Sequence, residues 1–213
     1  MSKAAAVTSN PDDRVASRAR GRKRRQEIID AARDLLIDGG YANFTLRDVA
    51  ARAGAQLGTL HYYFSTKDEL LYAIFDQEIV WYTEGIRKAA ETTSTTTGRL
   101  TAIVDAALLE QKQPRMVLWR TLIALALHDP KAAELLASEN RIFARAFADQ
   151  LLNIEPGLGD ERAQHIARMI LTMLDGFASQ HGYNLPETPE TLAIENDLRA
   201  LIVMLVQGKA SAQ

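Results

Sequence analysis

The chain of 213 residues contains no cysteine. A disulfide framework, a thiolate zinc site and a cysteine nucleophile are therefore excluded together. Its four histidines, His61, His128, His165 and His181, stand far apart, and none has the i, i+4 spacing of a zinc-type motif. P-loop, glycine-rich dinucleotide and G-x-S-x-G signatures are all missing. Catalysis has no support in such a sequence; no metal or cofactor is expected, and the protein is not expected to be an enzyme. Nowhere is there a run of about 18 apolar residues that could cross a membrane. The opening MSKAAAVTSNPDDR lacks the apolar core of a signal peptide. The expectation is a cytoplasmic protein with no membrane partner.

What is present is ordinary in amount and uneven in distribution. Hydrophobic residues make up 47% and charged residues 24%, as in a soluble globular chain. The net charge of −2 hides an asymmetry: residues 1–67 hold 12 Lys/Arg against 7 Asp/Glu, and residues 68–213 hold 13 against 20. A basic end suits phosphate binding, and an acidic remainder is repelled by it.

Hydrophobic spacing is helical throughout, and strand signals are weak. Residues 1–19 lack periodicity and read as a disordered arm. The basic cluster of Arg18, Arg20, Arg22, Lys23, Arg24 and Arg25 follows. It is either a solvated helix start or an element lying along phosphates. A helix then carries Ile28, Ala32, Leu35 and Leu36 to a stop at Gly39. Thr66 and Glu69 form a T-x-x-E capping box that opens a long helix to about Glu91, in which Trp81 and Tyr82 read as core. Further helices follow over 98–113, 114–128, 130–153, 160–183 and from Thr188-Pro189 onward. The expected fold is all-α with about nine helices: a head over residues 20–66 and a helical region over 67–213.

The informative stretch is TLRDVAARAGAQLGTLHYYFSTK, Thr45 to Lys67. Thr45 can cap a short helix with Asp48 at N3. Gly54 supplies a left-handed turn. A second helix begins near Gln56 and points Leu60 and Phe64 inward at i, i+4 spacing. Its other face offers Thr59, His61 and Tyr62, and Gly58 leaves backbone accessible. This is a helix-turn-helix whose second helix fits a major groove. Tyr62 and Thr59 on that face, and Lys67 beside a phosphate, are the expected DNA contacts, with Arg22, Lys23 and Arg24 strengthening binding.

The string AGAQLGTLHYYFSTKDELL resembles the TetR-type bacterial transcriptional regulators, through Ala53, Gly54, Gly58, Thr59, Leu60, Tyr63, Phe64, Lys67 and Leu70. The resemblance spans residues 22–70. It implies a three-helix DNA-binding head, a homodimer, and a small-molecule effector that releases the protein from double-stranded operator DNA. It adds Thr45, Gln56, Gly58, His61 and Tyr63 to the DNA-binding set. Gln56 and His61 depart from the usual Ser and Tyr, so operator preference does not carry over. Trp119, Leu125, Asp129-Pro130 and Leu174-Asp175-Gly176 resemble the C-terminal region of the choline-repressor branch.

Residues 114–128, PRMVLWRTLIALALH, are apolar on nearly all sides and read as a buried central helix. Arg120 is its one charge after the first turn. It either forms a salt bridge with Asp105, Glu110 or Asp175, or snorkels to solvent, or anchors a ligand. The third reading predicts a pocket of Trp119, Arg120, Phe143, Phe147 and Met173 that takes an acidic, apolar effector. The last two helices present Leu174, Phe177, Leu198, Ile202 and Leu205, expected to pair across a two-fold axis as a four-helix interface.

Overall fold

A computed structural model describes residues 11–208. Among these residues nine α-helices run in the order α1 (Pro11–Gly39), α2 (Leu46–Arg52), α3 (Leu57–Tyr63), α4 (Lys67–Ala90), α5 (Thr96–Gln111), α6 (Met116–Ala126), α7 (Pro130–Ile154), α8 (Asp160–His181) and α9 (Pro189–Gln207). Short 3-10 turns lie at Tyr41–Asn43 and Pro156–Leu158, and no strand occurs among the described residues. The all-helical expectation holds. Side chains cap five of the starts: Thr45, Thr66, Thr95, Asp129 and Thr188 each accept a backbone N–H of their own first turn.

The start of the first helix differs from the sequence reading. α1 begins at Pro11, so residues 11–19 of the expected arm are helical, while residues 1–10 lie outside the described residues. The cause is cooperative: the helix is anchored by buried Ile28 and Ile29 and extends outward through Ala- and Arg-rich turns at little cost. It stops at Gly39 as expected, and the next residue, Gly40, turns the chain with φ 67°.

The chain divides into two compact units between Ile74 and Phe75, inside α4. The first unit buries Ile28, Ile29, Ala32, Leu36, Phe44, Val49, Leu60, Phe64, Leu70 and Ile74. The start of α4 belongs here because Leu70, Leu71 and Ile74 are needed to close this small core.

The second unit packs α5, α7, α8 and α9 around Leu100, Ile103, Leu108, Phe147, Leu151, Ile166, Ile170, Leu174, Phe177 and Ile202. Ala163 and Ala167 of α8 are fully buried and let neighbouring helices approach closely. Ion pairs add a polar seam between α5 and α9: Arg199 holds Asp105 at 2.5 Å, and Lys112 holds Glu195 at 2.5 Å.

This core takes residues that sequence reasoning gave to a dimer. Leu174, Phe177 and Ile202 are buried within one chain, and Leu198 and Leu205 pack partly against the same cluster. The apolar stripe of α9 is wider than one face. Glu195, Ile202 and Val206 turn inward, while Leu192, Leu201 and Met204 turn out to solvent. α6 is likewise not buried all round: Met116, Leu118 and Leu122 are covered, but Ile123 and Leu127 are exposed.

Candidate nucleic-acid interface and effector cavity

In the first unit, α2 and α3 are joined by the turn at Gly54, whose φ of 56° is left-handed. Thr45 Oγ1 accepts the N–H of Asp48 at 3.2 Å and donates to the Asp48 carboxylate at 2.5 Å. Its hydroxyl is therefore engaged in the cap. Gln56 stands at the N-cap of α3 without a side-chain capping bond, which leaves its amide free for another partner. Leu60 is buried, and Gln56, Gly58, His61 and Tyr62 are exposed. Tyr62 is 82% exposed and stands edge-on to the half-buried Tyr63, with ring centroids 5.0 Å apart. Thr59 is half-buried beside them. A Cβ on Gly58 would meet nothing within 4 Å, so the backbone here is open to close approach.

The cationic residues separate by role. Arg22 and Lys23 are exposed and form no ion pair among the described residues. Arg24 is committed elsewhere: its guanidinium bonds Glu27 at 2.8 Å and the Gly54 carbonyl at 2.8 Å. It braces the turn of the motif. Lys67 sits 3.6 Å from the centroid of the Tyr41 ring and 3.5 Å from the Tyr41 carbonyl. Burial lowers its pKa, with Asp68 opposing. Arg47, which sequence reasoning passed over, is exposed in the first turn of α2 without an ion pair. The signal was available: an arginine two positions after a helix cap, on the flank of the motif.

In the second unit, α4, α5, α6, α7 and α8 enclose a cavity of about 80 Å³, room for several waters. Five aromatic rings line it: Phe75, Trp81, Tyr82, Trp119 and Phe143. Phe143 is central, edge-to-face with Tyr82 at 4.9 Å and with Trp119 at 5.3 Å. Three carboxylates, Glu78, Glu110 and Asp175, share the wall with one cation, Arg115.

Arg115 is bound to Glu78 through Nε at 2.7 Å and Nη2 at 2.6 Å, and its guanidinium lies 4.2 Å above the Trp81 ring. Asp175 accepts from Trp119 Nε1 at 3.3 Å. Neither Asp175 nor Glu110 has an ion pair within 4 Å among the described residues. Burial raises the pKa of both carboxyls; the Trp119 bond opposes it at Asp175, and Arg115 opposes it at Glu110. The Tyr82 phenol is raised by burial and then by Glu110 and Asp175, and stays neutral.

Of the pocket residues expected from sequence, Trp119 and Phe143 line the cavity and the other three do not. Phe147 is buried in the main core, and Met173 packs against it. Arg120 donates through Nη2 to the main-chain carbonyl of Ala178, near the end of α8. That carbonyl also accepts the Gly182 N–H at 3.1 Å, so Arg120 adds a second bond at the C-terminus of α8, and none of Asp105, Glu110 and Asp175 is its partner. A single charge on an apolar helix marked the right helix and the wrong side chain. Glu78, Glu110, Arg115 and Asp175 were missed because they come from three different helices and the N-cap of a fourth.

A helix-turn-helix head with an exposed polar face, joined to a helical unit with a partly open cavity, defines a ligand-responsive DNA-binding regulator. Profiles of known families agree. The description "Bacterial regulatory proteins, tetR family" fits residues 28–74, and "BetI-type transcriptional repressor, C-terminal" fits residues 96–206. The chain belongs to the TetR family of bacterial regulatory proteins and carries a C-terminal region of the BetI type. It is a transcriptional regulator of the ligand-released repressor kind, and not an enzyme.

The HTH-type transcriptional regulator BetI of Brucella anthropi is 28% identical over 186 residues, covering 85% of this chain and 94% of the relative. A transcriptional regulator from Rhodococcus superposes with a TM-score of 0.67 at 21% identity, covering 89% of this chain and 99% of that one. A candidate transcriptional regulator from Saccharomonospora viridis in complex with choline superposes at 0.65 with 17% identity, covering 88% and 97%. No helix among the described residues is long and apolar enough to cross a membrane.

Proposed function

We propose that this regulator acts in the cytoplasm as a homodimer on operator DNA and is released by a small organic cation held in the α4–α8 cavity. The observation that carries the effector class is the charge of the wall. Arg115 neutralises Glu78, and Glu110 and Asp175 remain without a cation. A half-buried acidic surplus facing aromatic rings suits a quaternary or alkylated ammonium group: the ring faces attract it, and the carboxylates supply the counter-charge. This reverses the expectation of an acidic effector, which depended on Arg120 reaching the cavity. The choline found in the Saccharomonospora neighbour makes choline a suitable first probe.

On the DNA side the reading assigns Tyr62, Gln56, His61, Thr59 and the Gly58 backbone to the groove, with Tyr63 supporting Tyr62. Thr45 contributes through its cap. Arg22, Lys23 and Arg47 take phosphates, and Lys67 takes one on leaving Tyr41. The dimer forms through the outer faces of α8 and α9. Thr172 and Gly176 are exposed there and allow close approach, while Leu201 and Met204 supply apolar surface. A two-fold pair places the reading helices about 34–36 Å apart, or a multiple of that.

Release follows from α4, a single helix of 24 residues. It begins with Lys67 and carries four cavity residues, Phe75, Glu78, Trp81 and Tyr82. A ligand that binds one setting of α4 better than another shifts the population of heads able to fit the operator. A thermal-shift comparison of choline and tetramethylammonium with benzoate and other small carboxylates tests the effector class. Cations should raise Tm in a saturable way; stabilisation by acids alone removes the proposal.

A further inference from the structure

The cavity has two places of the same chemistry, and one is already filled. At the first, Asp175 lies beside Trp119, with Phe143 and Tyr82 completing the aromatic wall. At the second, the Trp81 ring and the Glu78 carboxylate hold the Arg115 guanidinium, 4.2 Å from the ring centroid and 2.6 Å from the carboxylate. A face-on aromatic ring with a carboxylate at its edge is a cation seat whichever cation sits in it. Arg115 reaches it from the N-cap position of α6, just after Pro114, and its own side chain caps nothing. The Glu78 and Arg115 side chains are 15% and 29% exposed, and Trp81 is 45% exposed. The corner is thus open to a solute from outside while also forming part of the cavity wall.

We propose that the Trp81–Glu78 corner is a second seat for an organic cation of the guanidinium or alkylammonium class, occupied in this state by the chain's own Arg115 as a tethered competitor of the effector. Its role in release rests on the cation reading of the cavity, whereas the existence of the seat is testable apart from it. A tethered group competes at an effective concentration on the order of millimolar or above, so a free cation must exceed that to displace it. Exchange has a mechanical consequence as well. The Arg115–Glu78 pair ties α4 to the start of α6, and a ligand that takes the seat unties them. Arg115 therefore lowers affinity for cations and resists the movement of α4 that they favour.

The test uses methylguanidinium chloride, against equal sodium chloride, in thermal unfolding of four full-length proteins: wild type, Arg115→Ala, Glu78→Gln and the double variant. In Arg115→Ala the added ion should stabilise saturably, with a midpoint about tenfold or more below that of wild type. The shift in midpoint relative to wild type should vanish in the double variant, which lacks the carboxylate of the seat and keeps only the Asp175 side of the cavity. Arg115→Met, which keeps the apolar stem over Trp81, serves if the alanine variant does not fold. Equal midpoints in wild type and either Arg115 variant overturn the proposal, as does a lowered midpoint that persists in the double variant. Failure of choline to stabilise wild type ends the effector reading instead and leaves this result standing.

Discussion

The head and the effector unit are both helical, yet they carry function in opposite ways. In the head, the residues proposed for the groove fall within one stretch, Gln56 to Tyr62, on a single two-turn helix and its N-cap. Their direction is set by local periodicity and by one glycine turn. In the effector unit the cavity draws Glu78, Glu110, Arg115, Phe143 and Asp175 from α4, α5, the turn before α6, α7 and α8. Local pattern places each residue on a face of its helix but says nothing of which faces meet. Reading a DNA-binding motif and reading a ligand pocket are therefore different problems, even within one chain.

The contrast can be broken most strongly at the dimer. If Leu201 and Met204 form the outer face, Leu201→Glu with Met204→Glu should leave a folded monomer. Operator affinity should fall at least about a hundredfold, because each half-site alone is weak. Sedimentation and fluorescence anisotropy measure the two effects. Ile202→Glu should instead damage the fold itself, since Ile202 is buried in the core of one chain.

The next effect lies in the head. Tyr62→Ala with Arg47→Ala removes one groove contact and one phosphate contact, each worth roughly 1–3 kcal/mol. The pair should lower operator affinity about a hundredfold and reduce the salt slope by about one unit, while cation binding stays unchanged. A loss of cation binding in this variant, read by thermal shift, would break the division of labour between the two units.

A smaller effect is expected from Glu139 of α7, which is 3% exposed. Burial, and then the charge of Asp76, push its pKa from the usual 4.5 up to about 7. Between those values the native state holds a proton that the unfolded chain has released. Stability contributed by this group is therefore full at low pH and is lost as pH rises through about 7. Glu139→Gln should raise Tm by a few degrees at pH 8 and by little near pH 5. An equal gain at both pH values would mean that Glu139 is not the titrating group.

What could be read in advance follows the same division. Thr45, Gly54, Leu60 and Tyr62 were legible because cap, turn and i, i+4 spacing are local rules. Gln56 was legible as a departure, and the structure gives it no capping bond. The bond of Arg24 to the Gly54 carbonyl was not legible, because the two lie 30 residues apart. The stripe over α8 and α9 was legible as apolar, but composition could not divide it between the core of one chain and a surface for another. Arg120 shows the same limit: its partner is a main-chain carbonyl, which no pattern of side chains reveals.

The central claim joins the two regions: a small cation in the cavity releases the head from DNA. It is tested most directly by anisotropy of an operator duplex selected by the protein itself, titrated with choline in wild type and Asp175→Asn. The account predicts saturable release in wild type and about tenfold or weaker sensitivity in the variant, with equal operator affinity before choline is added. Wild-type protein that stays bound at every choline concentration yet leaves the duplex with a small carboxylic acid would contradict it.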